Sequence, residues 1–230
     1  MSIERKLPTV PEIKAIVAAM QYDMSDMNQQ LQAATLIATL AHAGQSRKNG
    51  QPYIFHSLRV SGANTRSVTK QIIGILHDVL EDSGWTADNL RELGFSARVI
   101  AGVEAMTKRP GELYFDFGER CSKNADARDK KIEDLSDNLN EADNCRFIDI
   151  DDVKRINKYK MLREYLVAVK QHRIEAGSSM VVFARNHPDY KDRLVTAFLL
   201  EEYSSRKMTV VANDTEPPPT SIVAPDRGPY

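Results

Sequence analysis

The stretch Thr69–Asp82, TKQIIGILHDVLED, sets four side chains able to hold a proton or a metal within six positions: His77, Asp78, Glu81 and Asp82. An imidazole beside three carboxylates suits coordination of a divalent cation and general acid–base work. Ile72, Ile73, Ile75, Leu76, Val79 and Leu80 recur at three- and four-residue intervals, which predicts one continuous helix pressed into a core. On such a helix His77 stacks with Glu81 and Asp78 with Asp82, so the polar groups gather at one end. Burying them unpaired is costly, and either a cation or a hydrogen-bond network must compensate. A divalent metal ion meets that requirement.

The neighbouring segments must bring further polar groups to this helix. Residues 10–20 read as a short packing helix, and residues 28–43 as a second helix that ends at Gly44 and carries His42 near its C-terminus. The following GQSRKNGQPYIFHSLRV is a loop punctuated by Gly44, Gly50 and Pro52, leading into a helix that holds His56. Arg47 offers a planar fork and Lys48 a mobile charge, a candidate clamp for phosphate; the plainer alternative is two cations in solvent. Beyond the central stretch, Thr86 is placed to cap a helix over 87–93 and Ser96 a helix over 97–106, while Trp85 fills the edge of a core. Lys108 and Arg109 form a second cationic spot, ended by Pro110.

Residues 114–122 and 126–140 read as helices. In the second, Asp134 and Asn138 project together four residues apart, and Glu133 and Asp137 are assigned to a solvated face. A long helix over 151–176 carries Arg155 and Tyr159 on one face, and another is expected over 188–206. From Asn213 onward the chain is polar and Pro-rich, the composition of a disordered tail. With little strand signal the fold reads as all-α: a helical extension over 1–27, a main domain over 28–176, a helical extension over 177–212 and a tail over 213–230.

The 31 basic and 32 acidic residues give no electrostatic footprint for nucleic acid. The absence of an apolar run of about 18 residues argues against a membrane span, and no signal peptide opens the chain. Cys121 and Cys145 make no disulfide framework, so two ordinary thiols in a reducing, cytoplasmic setting are expected.

Four motifs occur in order: AHAGQSRKNGQPYIFH, LHDVLED, MTK and KKIEDLSDNL. This series resembles the HD-domain hydrolases of the RelA/SpoT group, in particular the stand-alone small alarmone hydrolases, over roughly residues 28–169. The resemblance implies an all-helical HD-domain bundle that binds one manganese ion through His56, His77, Asp78 and Asp134, with Glu81 and Asp82 as the catalytic acidic pair. It implies that Arg47, Lys48, Asn138, Arg155 and Tyr159 contact the substrate, a guanosine alarmone (ppGpp or pppGpp) whose 3′-pyrophosphate is hydrolysed to leave GDP or GTP. Three positions depart from the pattern: Gln51 stands for a Glu, Ser57 for a Pro and Glu133 for a small residue. Gln51 and the divergent flanks leave room for another nucleotide, such as an adenosine alarmone or NADPH. A non-catalytic sensor or antitoxin-like partner is the reading from a different class, and the termini are candidates for homo-oligomer contacts. His42 is expected to support the loop rather than replace His56.

Overall fold

The computed structural model describes residues 7–143 and 149–190, so the expected tail, Cys145 and most of the expected helix over 188–206 lie outside the described residues. Among the described residues the architecture is all-α, with eleven helices: α1 Val10–Ala19, α2 Met27–Ala41, α3 Ile54–Gly62, α4 Val68–Leu76, α5 Val79–Asp82, α6 Ala87–Glu92, α7 Ala97–Met106, α8 Tyr114–Ser122, α9 Ala125–Asp143, α10 Ile150–Lys170 and α11 Met180–Asn186. Helix starts follow local chemistry. Thr9 and Thr86 close capping boxes on α1 and α6, and Asp26, Ser67, Ser96, Asp149 and Ser179 each cap a first turn. α11 lies within the helical extension expected over 177–212 but ahead of the helix expected over 188–206; Ser179 and the buried Met180, Val181 and Ala184 account for it. No helix among the described residues is long and apolar enough to cross a membrane.

α4 is the hub, packed against α2, α3, α7 and α9. Its Ile72, Ile73, Ile75 and Leu76 are fully buried, and Gly74 lets α3 approach: a Cβ there would lie 2.9 Å from the Ser61 Cα. The continuous helix expected over 69–82 is instead broken at His77 and Asp78. The cause is local. The Gly74 carbonyl, which a continuing helix would offer to the Asp78 amide, accepts from the His77 ring at 2.8 Å. His77 therefore points into the core, whereas Glu81 and Asp82 sit exposed on a separate turn, and the expected stacking of His77 on Glu81 does not form.

α3 and α9 are tied together by Lys130, which is 1% exposed although it belongs to a stretch whose composition suggests a solvated face. Its ammonium donates to the carbonyls of Val60, Ser61 and Ala63 at 2.9, 3.2 and 2.7 Å, satisfying the open C-terminus of α3. Lys130→Met removes all three bonds and leaves the carbonyls dry, so a loss of about 2–4 kcal/mol is expected in chemical denaturation. A loss below about 0.5 kcal/mol would show that water replaces the ammonium.

Candidate metal centre and substrate cavity

The four residues assigned to a metal ion come from separate elements and converge. His56 lies on α3, His77 and Asp78 at the break after α4, and Asp134 on α9 one turn beyond Lys130. His56 Nε2 lies 3.1 Å from Asp134 Oδ1 and 3.6 Å from Asp78 Oδ2; His77 Nε2 lies 2.8 Å from Asp78 Oδ2 and 3.4 Å from Asp134 Oδ1. Both histidines are 1% exposed, yet neither Nε2 makes a hydrogen bond of proper geometry among the described residues. The short nitrogen–oxygen separations are therefore proximity without directed bonding. His56, His77 and Asp78 bring ligand atoms within 4.8 Å of one another, and with Asp134 Oδ1 facing both histidine nitrogens this donor set fits a divalent cation of borderline softness.

The outer faces of the histidines fix their inner ones. His77 Nδ1 donates to the Gly74 carbonyl and His56 Nδ1 to Asp137 Oδ2 at 2.7 Å, so each Nε2 is the atom left for coordination. Asp137 is thus not part of a solvated face. It lies between the His56 ring and the Arg59 guanidinium, which donates to both its carboxylate oxygens. Glu133 instead accepts from Asn64 at 2.9 Å. Asp134 is held on both sides, by Asn138 Nδ2 at 2.7 Å on Oδ1 and by Lys131 Nζ at 2.8 Å on Oδ2. Tyr53 donates to Asp78 Oδ2 at 2.5 Å, and its ring packs between those of His42 and His56. Burial and Asp78 keep the Tyr53 phenol far above its ordinary pKa, so it remains a donor. His42 bonds Gln45 at 2.8 Å, and burial lowers its pKa; it supports the loop as expected. Cys121 is a buried free thiol pushed up to about 12 by burial.

Burial alone would lower the pKa values of both ligand histidines, but the carboxylates around them prevail. His56 is raised to about 9, chiefly by Asp134, Asp137 and Asp78, and His77 to about 10 by Asp78 and Asp134. Without a cation both rings hold two protons at neutral pH. That pairing stabilises the fold fully below the ordinary value of 6.5 and is lost as pH rises through about 9 and 10. A divalent ion bound at this site would take the place of the Nε2 protons. Calorimetric titration of metal at pH 7 in buffers of different ionisation enthalpy is expected to show about two protons released per ion, with affinity rising toward alkaline pH. Release of none would place the ion elsewhere.

Glu81 and Asp82 stand at the open mouth. Surrounding protein is the larger cause raising both pKa values, and the charge of Asp78 adds to it. Glu81 accepts from the Lys108 backbone amide, and Gln45 Nε2 donates to the Asp82 carbonyl at 3.1 Å.

The five residues expected to touch substrate, Arg47, Lys48, Asn138, Arg155 and Tyr159, line one cavity of about 170 Å³, joined by Tyr53 and Glu141. At about 30 Å³ per water the space suits a planar base. The cavity adjoins the candidate metal cluster through the Tyr53–Asp78 and Asn138–Asp134 bonds. Arg47 is neither a free anion clamp nor a solvated cation. Its side chain is 6% exposed, pairs with Glu141 and Asp137, and donates to Asn138 Oδ1 at 3.0 Å. Lys48 and Arg155 both pair with Asp152. Gln51 does not line this cavity; its carbonyl accepts from the Arg47 amide at 2.9 Å. Sequence reasoning missed Tyr53, Lys131, Asp137, Glu141 and Asp152. The one available signal was the need of a ligand histidine for an outer acceptor.

No family model matches the chain. Among curated proteins it is 36% identical over 86 residues to a guanosine-3′,5′-bis(diphosphate) 3′-pyrophosphohydrolase of Aquifex aeolicus, covering 35% of this chain and 12% of that protein. It is 33% identical over 106 residues to the bifunctional (p)ppGpp synthase/hydrolase SpoT of Escherichia coli, covering 45% and 15%. It is 33% identical over 99 residues to a GTP pyrophosphokinase of Myxococcus xanthus, covering 41% and 13%. These relatives are RelA/SpoT-family (p)ppGpp hydrolases and synthetases, and the chain spans roughly an eighth of their length.

Proposed function

We propose that this chain is a manganese-dependent hydrolase of the small alarmone hydrolase type that removes the 3′-pyrophosphate from ppGpp or pppGpp, leaving GDP or GTP. The observation that carries the reading is the convergence of two buried, unpartnered imidazole nitrogens on Asp78 and Asp134, beside the exposed carboxylates of Glu81 and Asp82. The relatives named as 3′-pyrophosphohydrolases supply the substrate class.

His56, His77, Asp78 and Asp134 would hold the manganese ion, which supplies positive charge for phosphoryl oxygens and lowers the pKa of water. The base and ribose enter the cavity between Arg47, Tyr53, Asn138 and Tyr159. Glu81 and Asp82 orient the attacking water and accept its proton, a task their raised pKa values suit. The water oxygen bonds phosphorus, the bond from phosphorus to the ribose 3′-oxygen breaks, and the electron pair leaves on that oxygen, which takes up a proton from solvent at the open mouth to become the 3′-hydroxyl. Tyr53 keeps Asp78 in place from the substrate side.

The test is pyrophosphate release from ppGpp by metal-stripped protein with and without added manganese. Release only with the metal is expected. With metal bound, absence of release from ppGpp beside turnover of an adenosine alarmone or NADPH would move the substrate assignment.

A further inference from the structure

A second cavity touches Glu81, one of the two candidate catalytic carboxylates, without sharing a wall residue with the first. It has a volume of about 560 Å³ and is lined by Glu81, Trp85, Thr107, Lys108, Arg109 and Pro110, among others. The two cavities thus approach the candidate site through different residues: the first through Tyr53 and Asn138, which bond Asp78 and Asp134, the second through Glu81, three residues beyond Asp78.

Their electrostatics differ. In the smaller cavity each cation is matched: Arg47 by Glu141 and Asp137, and Lys48 and Arg155 by Asp152. In the larger, no ion pair or hydrogen bond ties the Lys108 and Arg109 side chains among the described residues; the Glu112 carboxylate, gripped by Arg120, lies within electrostatic reach of Arg109, and Glu104, which also lines the cavity, pairs with Arg91. Trp85, 3% exposed, forms part of the wall of this cavity. The loop bearing the cations is also held in place. Arg120 grips both Glu112 oxygens and donates to the carbonyls of Glu104 and Thr107, at 3.0 and 2.8 Å.

We infer that this cavity binds the pyrophosphate half of the nucleotide, during reaction and as product, with Lys108 and Arg109 as its phosphate contacts. The inference rests on the hydrolase reading. The nucleoside lies in the charge-matched aromatic cavity, the scissile bond lies at the candidate metal cluster, and the diphosphate extends past Glu81 into the space lined by Lys108 and Arg109, whose side chains hold no ion pair among the described residues.

The experiment titrates inorganic pyrophosphate, supplied as its manganese complex, into the metal-loaded full chain. Binding is read by calorimetry and by fluorescence of Trp85, the only tryptophan. K108Q/R109Q is expected to raise the pyrophosphate Kd at least about tenfold, equivalent to about 1.4 kcal/mol. The control K48Q/R155Q should leave it within about twofold and weaken GDP binding instead. Unchanged pyrophosphate affinity in K108Q/R109Q, or a loss only in K48Q/R155Q, overturns the site. The two readings fail separately. Pyrophosphate bound through Lys108 and Arg109 without turnover of ppGpp would sink the hydrolase assignment and keep the site, whereas turnover with affinity indifferent to K108Q/R109Q would do the reverse.

Discussion

Glu81→Gln combined with Asp82→Asn is expected to lower turnover of ppGpp by at least about a thousandfold, while metal binding and thermal stability stay near those of the parent chain. The substitutions are mild in shape. An amide oxygen at position 81 still accepts from the Lys108 amide, so the loop beyond α7 keeps its tether. Both side chains are exposed at the mouth, so no buried partner is orphaned. What disappears is basicity. The parent enzyme should lose activity as pH falls through the raised pKa values of this pair, because a protonated carboxyl cannot take the proton of water. The measurements are steady-state turnover, metal affinity by calorimetry and melting temperature for parent and variant. A double variant that keeps a tenth or more of the parental rate would remove Glu81 and Asp82 from the chemistry.

The sequence made much of this architecture legible through caps and periodicity. Thr86 and Ser96 start α6 and α7 where their side chains predict, and α8 runs over the expected residues 114–122. The apolar run of α4 is buried as its spacing implies. Pattern reading failed where one side chain decides between two local structures. Nothing in the periodicity of TKQIIGILHDVLED tells that the His77 ring will take the Gly74 carbonyl, and that bond separates inward ligands from outward acids. Composition misled in KKIEDLSDN, where Lys130 caps α3, Lys131 grips Asp134 and Asp137 orients His56. Lys130 is compensated by backbone carbonyls of α3 and Asp137 by His56 and Arg59, far away in the chain, while Lys131 pairs with Asp134 one turn on; such pairing is invisible to a rule that sends charges to solvent. The same holds for Arg47, whose partners Asp137, Asn138 and Glu141 follow it by about ninety residues.

Asp134 carries the second large effect, because it joins the candidate metal centre to the fold. It is 2% exposed, with Oδ1 facing both histidine nitrogens and Oδ2 facing the Lys131 ammonium. Asp134→Asn removes the charge that both sides require. Its amide nitrogen must face either Lys131 or the histidines, donor against donor in the first case. Metal affinity is expected to fall by at least about a hundredfold, and stability by about 1–3 kcal/mol, since a half-buried lysine loses its partner. The two consequences have different origins and can be separated. Adding Lys131→Met to Asp134→Asn removes the stranded ammonium and should restore most of the lost stability, because the methionine can pack where the lysine stem lies beside Phe117. Metal binding should remain lost. Chemical denaturation of the metal-free chains and calorimetric metal titration decide the matter. If the added substitution restores metal affinity along with stability, Asp134 acts only by neutralising Lys131 and the ligand set must be redrawn; if stability stays low and metal affinity is unchanged from the parent, neither role holds.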